Sequence, residues 1–158
     1  SDWSSDVCSS DLIVKPLHFL HLLAGLSSVA SCVHLLLRLF SKRHDPRLRT
    51  HATVLGVTYA ATYLLGAMIY PTFRVRVRAA LLDTHYPWAT GLFEIKEHAA
   101  SLVFVPVLAI VVLSRSLDPN QALDRRHLLL TRALTALVLV VLVFNASAGW
   151  YLGTIRSV

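Results

Sequence analysis

Four apolar runs decide what this chain can become. They cover about residues 17–40, 52–73, 92–114 and 133–155. A helix needs roughly 20 residues to cross the hydrocarbon core of a bilayer. Three runs have that length by themselves, and the third reaches it once Ala99–Ser114 is extended outward through Leu92–His98. Helices in a soluble all-α core keep a polar face toward water, and Val103–Leu113 and Leu134–Phe144 have almost none. The fold class that follows is all-α, an integral membrane four-helix bundle with the lipid bilayer as its first partner.

The front end differs from the rest. Residues 2–12, DWSSDVCSSDL, are identical to one reading frame of a sequencing adaptor, and they hold neither a basic start nor the apolar stretch of a signal peptide. The expectation is that residues 1–12 are a non-native leader, that residues 13–158 form a single transmembrane domain, and that the true N-terminus lies upstream of what is seen. Without Asp2, Asp6 and Asp11 the chain carries 15 basic against six acidic side chains. With 55% hydrophobic residues, that excess is expected to flank membrane spans and not to mark a nucleic-acid footprint. Cys32 is then the one native cysteine, which excludes an internal disulfide.

Local signals set the ends of the runs. Pro16 precedes the first, where its missing N–H is harmless; Tyr70-Pro71 ends the second; Pro106 is expected to kink the third. Trp150 and Tyr151 lie like an interfacial belt at the end of the fourth. The loops Ser41–Thr50 and Arg115–Arg132 share one side with nine basic residues, against six on the side of the Arg74–Gly91 connection. The positive-inside rule makes the first side cytoplasmic, in a multi-pass protein of the bacterial inner (cytoplasmic) membrane. Arg74–Leu82 is expected to form a short helix lying in the interface, with Tyr86 and Trp88 anchoring its far end.

Small residues predict the packing. His21, Gly25, Ser28 and Cys32 form one stripe, and Gly56, Ala60, Thr62, Gly66 and Ala67 permit close approach on the second helix. Tyr59, Tyr63 and Tyr70 share a stripe whose hydroxyls need partners. Asn145 is the strongly polar residue deep in the fourth span and is expected to hydrogen-bond across helices.

The chemistry concentrates in residues 70–100, YPTFRVRVRAALLDTHYPWATGLFEIKEHAA. Arg74, Arg76, Arg78, Asp83, His85, Glu94, Lys96, Glu97 and His98 gather at one membrane face, where His18 and His21 open the first span. Three readings stand beside one another. In the first, a b-type haem takes axial imidazoles from His21 and His98, with Gly25 and Ser28 making room, His18 nearby, and Arg74 and Arg78 on the propionates. In outline this resembles the four-helix membrane b-type cytochromes; the resemblance rests on span number and histidine placement, and it implies a small electron-transfer subunit serving a redox partner protein. In the second, His98, Glu94 and His21 ligate a metal, although no HExxH, CxxC or EF-hand loop is present. In the third no cofactor is bound. The acids face the positive end of a helix, the arginines anchor headgroups, and the protein is an accessory or assembly subunit with a polar face for a partner or lipid. The stretch also has the look of a bacterial membrane family's signature.

A second haem on His34 and His51 is not expected, because His34 lies about 140° round the helix from His21 at 100° per residue. His44, His51 and His127 are interfacial among basic residues. No nucleophile beside a base and no phosphate-binding glycine loop supports an enzyme.

Overall fold

In a computed structural model, residues 3–41, 47–116 and 125–156 are described. Four long helices account for nearly all of them: α1 (Trp3–Phe40), α2 (Leu48–Phe73), α3 (Pro87–Ser116) and α4 (Arg125–Arg156). Each contains a stretch long and apolar enough to cross a membrane. The helices run up, down, up and down, and each packs on its neighbours in a ring that α1 and α4 close. The protein is an all-α, integral membrane four-helix bundle. Trp150 projects from it at 79% exposure, and Trp88 meets Tyr151 at a 5.7 Å ring separation.

All four helices outrun their apolar cores. α1 passes back through Pro16 to Trp3, so Pro16 lies inside the helix and not at its start. α4 begins at Arg125, well before the apolar run. The reason is that a charged flank can stay helical outside the hydrocarbon while its side chains reach the interface. Arg132 shows a local gain from this. Its guanidinium donates to the carbonyl of Leu39 through Nε and Nη2, at 2.9 and 2.6 Å, satisfying an end carbonyl of α1, and it lies over the Phe40 ring at 4.7 Å. Lys42, Arg43 and His44 of the first loop, and the centre of the loop between α3 and α4, lie outside the described residues.

The connection between the second and third spans takes a different form from the separate interfacial helix expected there. Residues Arg74–Leu82 continue α2 without a break as a π-helical segment, followed by one turn at Asp83–His85. Pro71 stands at the transition and cannot donate to the preceding turn. The Asp83 N–H donates to the Arg78 carbonyl, five residues back. Val77 and Leu82, also five apart, are both buried, which is the spacing of the wider turn.

The core splits in two. One cluster joins Cys32, Leu35 and Leu39 to Leu55 and Tyr59, Val107 and Ile110, and Val138 and Leu142, in the half of the bundle toward the α1–α2 loop. A smaller cluster of Val77, Leu82, Ala89, Phe93 and Leu152 closes the opposite end. Close helix approach explains the small residues. Gly25 faces Thr62, and a Cβ on Gly56 would stand 2.9 Å from Val111 Cγ2 on α3. The tyrosine hydroxyls find protein partners: Tyr59 donates to the Ala100 carbonyl, and Tyr63 lies 3.3 Å from Ser101 Oγ.

Candidate functional site

Beside the second core cluster, three of whose members line it, the helices form a half-open cavity of about 230 Å³. α1 contributes His18 and His21, α2 Gly66, Ile69 and Tyr70, α3 Phe93, Lys96 and Glu97, and α4 Gly149, Leu152 and Gly153. Phe73 and Val77 complete the wall at the start of the π segment.

The histidines are held by their own neighbours. His21 Nδ1 lies 2.9 Å from the Thr62 carbonyl across the α1–α2 seam, and His18 Nδ1 lies 3.0 Å from the Val14 carbonyl one turn back. A carbonyl oxygen can only accept, so Nδ1 carries the proton in both rings. In the neutral rings, Nε2 is then an acceptor in each case. Gly66 permits this arrangement, since a Cβ there would approach His21 Cε1 to 3.2 Å.

Lys96 and Glu97 form an ion pair at 2.6 Å, with the Lys96 ammonium 5.2 Å from the centre of the Phe93 ring. Phe93 stacks on Phe73 at 4.5 Å and on Tyr70 at 6.1 Å, so one wall is a block of aromatic faces. On α4 the rim is bare: Gly149 and Gly153 are exposed, and a Cβ added to either would meet nothing within 4 Å.

Asn145 continues the line of these glycines one turn deeper, four residues before Gly149. Its Nδ2 donates to the Val141 carbonyl of its own helix, and its buried Oδ1 accepts no hydrogen bond among the described residues. The interhelical bond expected of Asn145 is therefore not formed. Its level in the bundle follows from the contact of Cys32 with the Thr135 carbonyl. About three turns from that contact, the antiparallel α1 and α4 carry His21 and Asn145 respectively.

Of the residues singled out in the sequence, His18, His21, Gly66, Tyr70, Lys96 and Glu97 line the cavity, and Arg74, Arg78, Glu94 and His98 do not. His98 is exposed on another face of α3, with its Nδ1 2.7 Å from the Glu94 carbonyl. Arg74 is exposed. Arg78 is bonded to Glu94 at 2.6 Å, lies 3.6 Å from Asp83 and hydrogen-bonds Tyr70. That network fastens the π segment to α3. A haem held between His21 and His98 does not fit this arrangement, because the two rings do not share a cavity and Arg78 is committed to carboxylates. The cavity is also smaller than the roughly 300–1,000 Å³ that a drug-sized ligand occupies. Glu94, His98 and His21 are likewise not brought together, and no group of three metal-ligating side chains occurs among the described residues. His34 and His51 stack at 5.9 Å on the α1–α2 seam, away from this site.

The residues that sequence reasoning passed over are Gly149 and Gly153. Their signal was present: Asn145, Gly149 and Gly153 repeat at steps of four along α4. No protein family model, no curated protein sequence and no solved structure matches the chain.

Proposed function

We propose that this membrane protein binds a small, partly apolar ligand in the His18/His21/Lys96/Glu97 cavity and acts as a cofactor-free accessory subunit. One observation carries the reading: polar groups from α1 and α3, His18, His21, Lys96 and Glu97, converge on a half-open space that aromatic rings bound on one side and that the exposed Gly149 and Gly153 leave open at its rim. A concave, mostly apolar pocket with a few fixed polar groups is the usual form of a small-molecule site. Ionisable groups within membrane helices are costly, and their retention favours a role in the protein's work. Electron transfer through a haem has less support, since His98 and Arg78 lie elsewhere or are engaged.

The test is to purify residues 13–158 in mild detergent with haem supplied during expression, and to record absorption before and after dithionite. A colourless protein whose melting temperature rises with short amphiphiles, and no longer does so when Gly149→Leu fills the cavity, supports the reading. A Soret band lost in His21→Phe would overturn it in favour of haem.

Orientation is part of the proposal: the nine-to-six excess of basic residues puts the α1–α2 and α3–α4 loops in the cytoplasm and the mouth of the site on the outer side. Single cysteines at Arg49 and Arg126 should then be labelled from the inside only, and one at Thr84 from the outside only. Labelling of all three from one side would contradict it.

A further inference from the structure

We infer that the loop end of the α1–α2 seam is a binding site for the phosphate of an anionic phospholipid, held by Arg38 and Arg47. The patch shares no residue with the cavity and does not rest on it. Spacing builds it. Arg38 lies four residues after His34 on α1, and Arg47 lies four residues before His51 at the start of α2. Each arginine therefore shares a helical face with one histidine. The His51 N–H donates to the Arg47 carbonyl at 3.0 Å, which makes Arg47 part of the first turn. The two imidazole rings stack across the seam, 5.9 Å apart and 18° from parallel. The helices are antiparallel, so both arginines stand one turn nearer the loop than the rings. Arg38 and Arg47 both lie close enough to His51 to act on its charge. They belong to different helices, and only the packing brings them to one patch.

Charge and depth select the ligand. Residues 38–51 carry Arg38, Lys42, Arg43, Arg47 and Arg49 against one acid, Asp45. One carboxylate cannot neutralise five cations, and the first turn of α2 holds no acid. Such a patch suits an anion, and a guanidinium meets a phosphate through two parallel N–H···O bonds. Arg38 is two residues from the end of α1 and Arg47 directly precedes α2. At that level long basic side chains reach lipid headgroups. Deeper along the same seam Ala30 and Val54 are exposed, an apolar surface on which an acyl chain can lie. A free phosphate gains nothing from that surface, whereas a phospholipid uses both parts.

The test titrates the whole chain, purified and stripped of lipid, with phosphatidylglycerol and in parallel with phosphatidylcholine of the same acyl chains, read by native mass spectrometry. Phosphatidylglycerol should bind about tenfold or more tighter. Arg38→Gln with Arg47→Gln should remove most of that preference. Arg125→Gln with Arg126→Gln, the same loss of charge at the same end of the bundle, should keep it. Equal loss in the two pairs, or no preference in the unaltered protein, overturns the site. Circular dichroism shows whether each variant keeps its helices. If the glutamine pair at 38 and 47 does not, Arg38→Lys with Arg47→Lys takes its place: it keeps the charge, gives up the forked donor and should lose part of the preference. Full retention in that variant also overturns the site. Inorganic phosphate separates the sources. Lipid that stays bound in a large excess of phosphate supports the phospholipid, and lipid that phosphate alone displaces marks a free-anion site and overturns the inference.

Discussion

The two halves of the bundle solve different problems with the same four helices. Toward the α1–α2 loop the interior is close-packed. Leu35, Leu39, Leu55, Ile110 and Val138 are almost fully buried. The polar groups buried there are self-contained: Thr131 and Thr135 each donate to the carbonyl one turn back. Toward the other face lie His21, an ion pair whose Glu97 side chain is 45% exposed, an amide oxygen without a partner among the described residues, and a half-open space. Lipid tails are as apolar as leucine, so helices in a membrane associate through packing and hydrogen bonds and not through the hydrophobic effect. The close-packed half supplies that packing. The polar half forgoes it, which makes sense if the space is reserved for something else.

That contrast can be broken by measuring matched substitutions in each half, through unfolding in detergent. The largest effect should come from Ile110→Ala, where side-chain exposure is 0%: a loss of about 2–5 kcal/mol, the range for truncating a fully packed isoleucine. Ile69→Ala, on the cavity wall, should cost about 2 kcal/mol or less, because fewer neighbours lose contact. Equal losses would mean that the cavity wall is packed as tightly as the core. Next in size, glycine to alanine should differ between the halves. Gly56→Ala pushes a Cβ to 2.9 Å from Val111 and should destabilise by about 1–3 kcal/mol. Gly149→Ala meets nothing within 4 Å and should stabilise by about 0.5–1 kcal/mol through helix propensity. A loss at Gly149 would show that another body already fills the space. The smallest change belongs to Glu94→Gln. It removes the exposed pair with Arg78, and its effect should shrink further as salt is added. A large, salt-independent loss would place the Arg78–Glu94–Asp83 network in the structural core.

Much of the polar half was visible in the sequence as a list and not as a site. His18, His21, Lys96 and Glu97 were among the polar residues gathered at one face, and His21, Gly25, Ser28 and Cys32 were on one stripe; the structure turns that stripe toward α2 through Thr62. His98 and Glu97 are adjacent in sequence, yet a single helical step of about 100° puts Glu97 on the cavity and leaves His98 outside it. Residue type and spacing along one helix could not choose between them.

The number of spans, their approximate limits and the all-α class were determined by the sequence alone. Long apolar runs without polar faces leave a chain few places to go but across a bilayer, and lipid enforces helices by requiring every backbone group to be paired. The tertiary structure decided the rest. It rotated each helix about its axis, gave Arg78 to Glu94 instead of to a ligand, and wound Arg74–Leu82 into a wider continuation of α2. It also brought Gly66, Gly149 and Gly153 to the same space as His21. Rotation and register depend on contacts between residues far apart in the chain, which the bilayer does not specify and which the close approach of small residues on facing helices does.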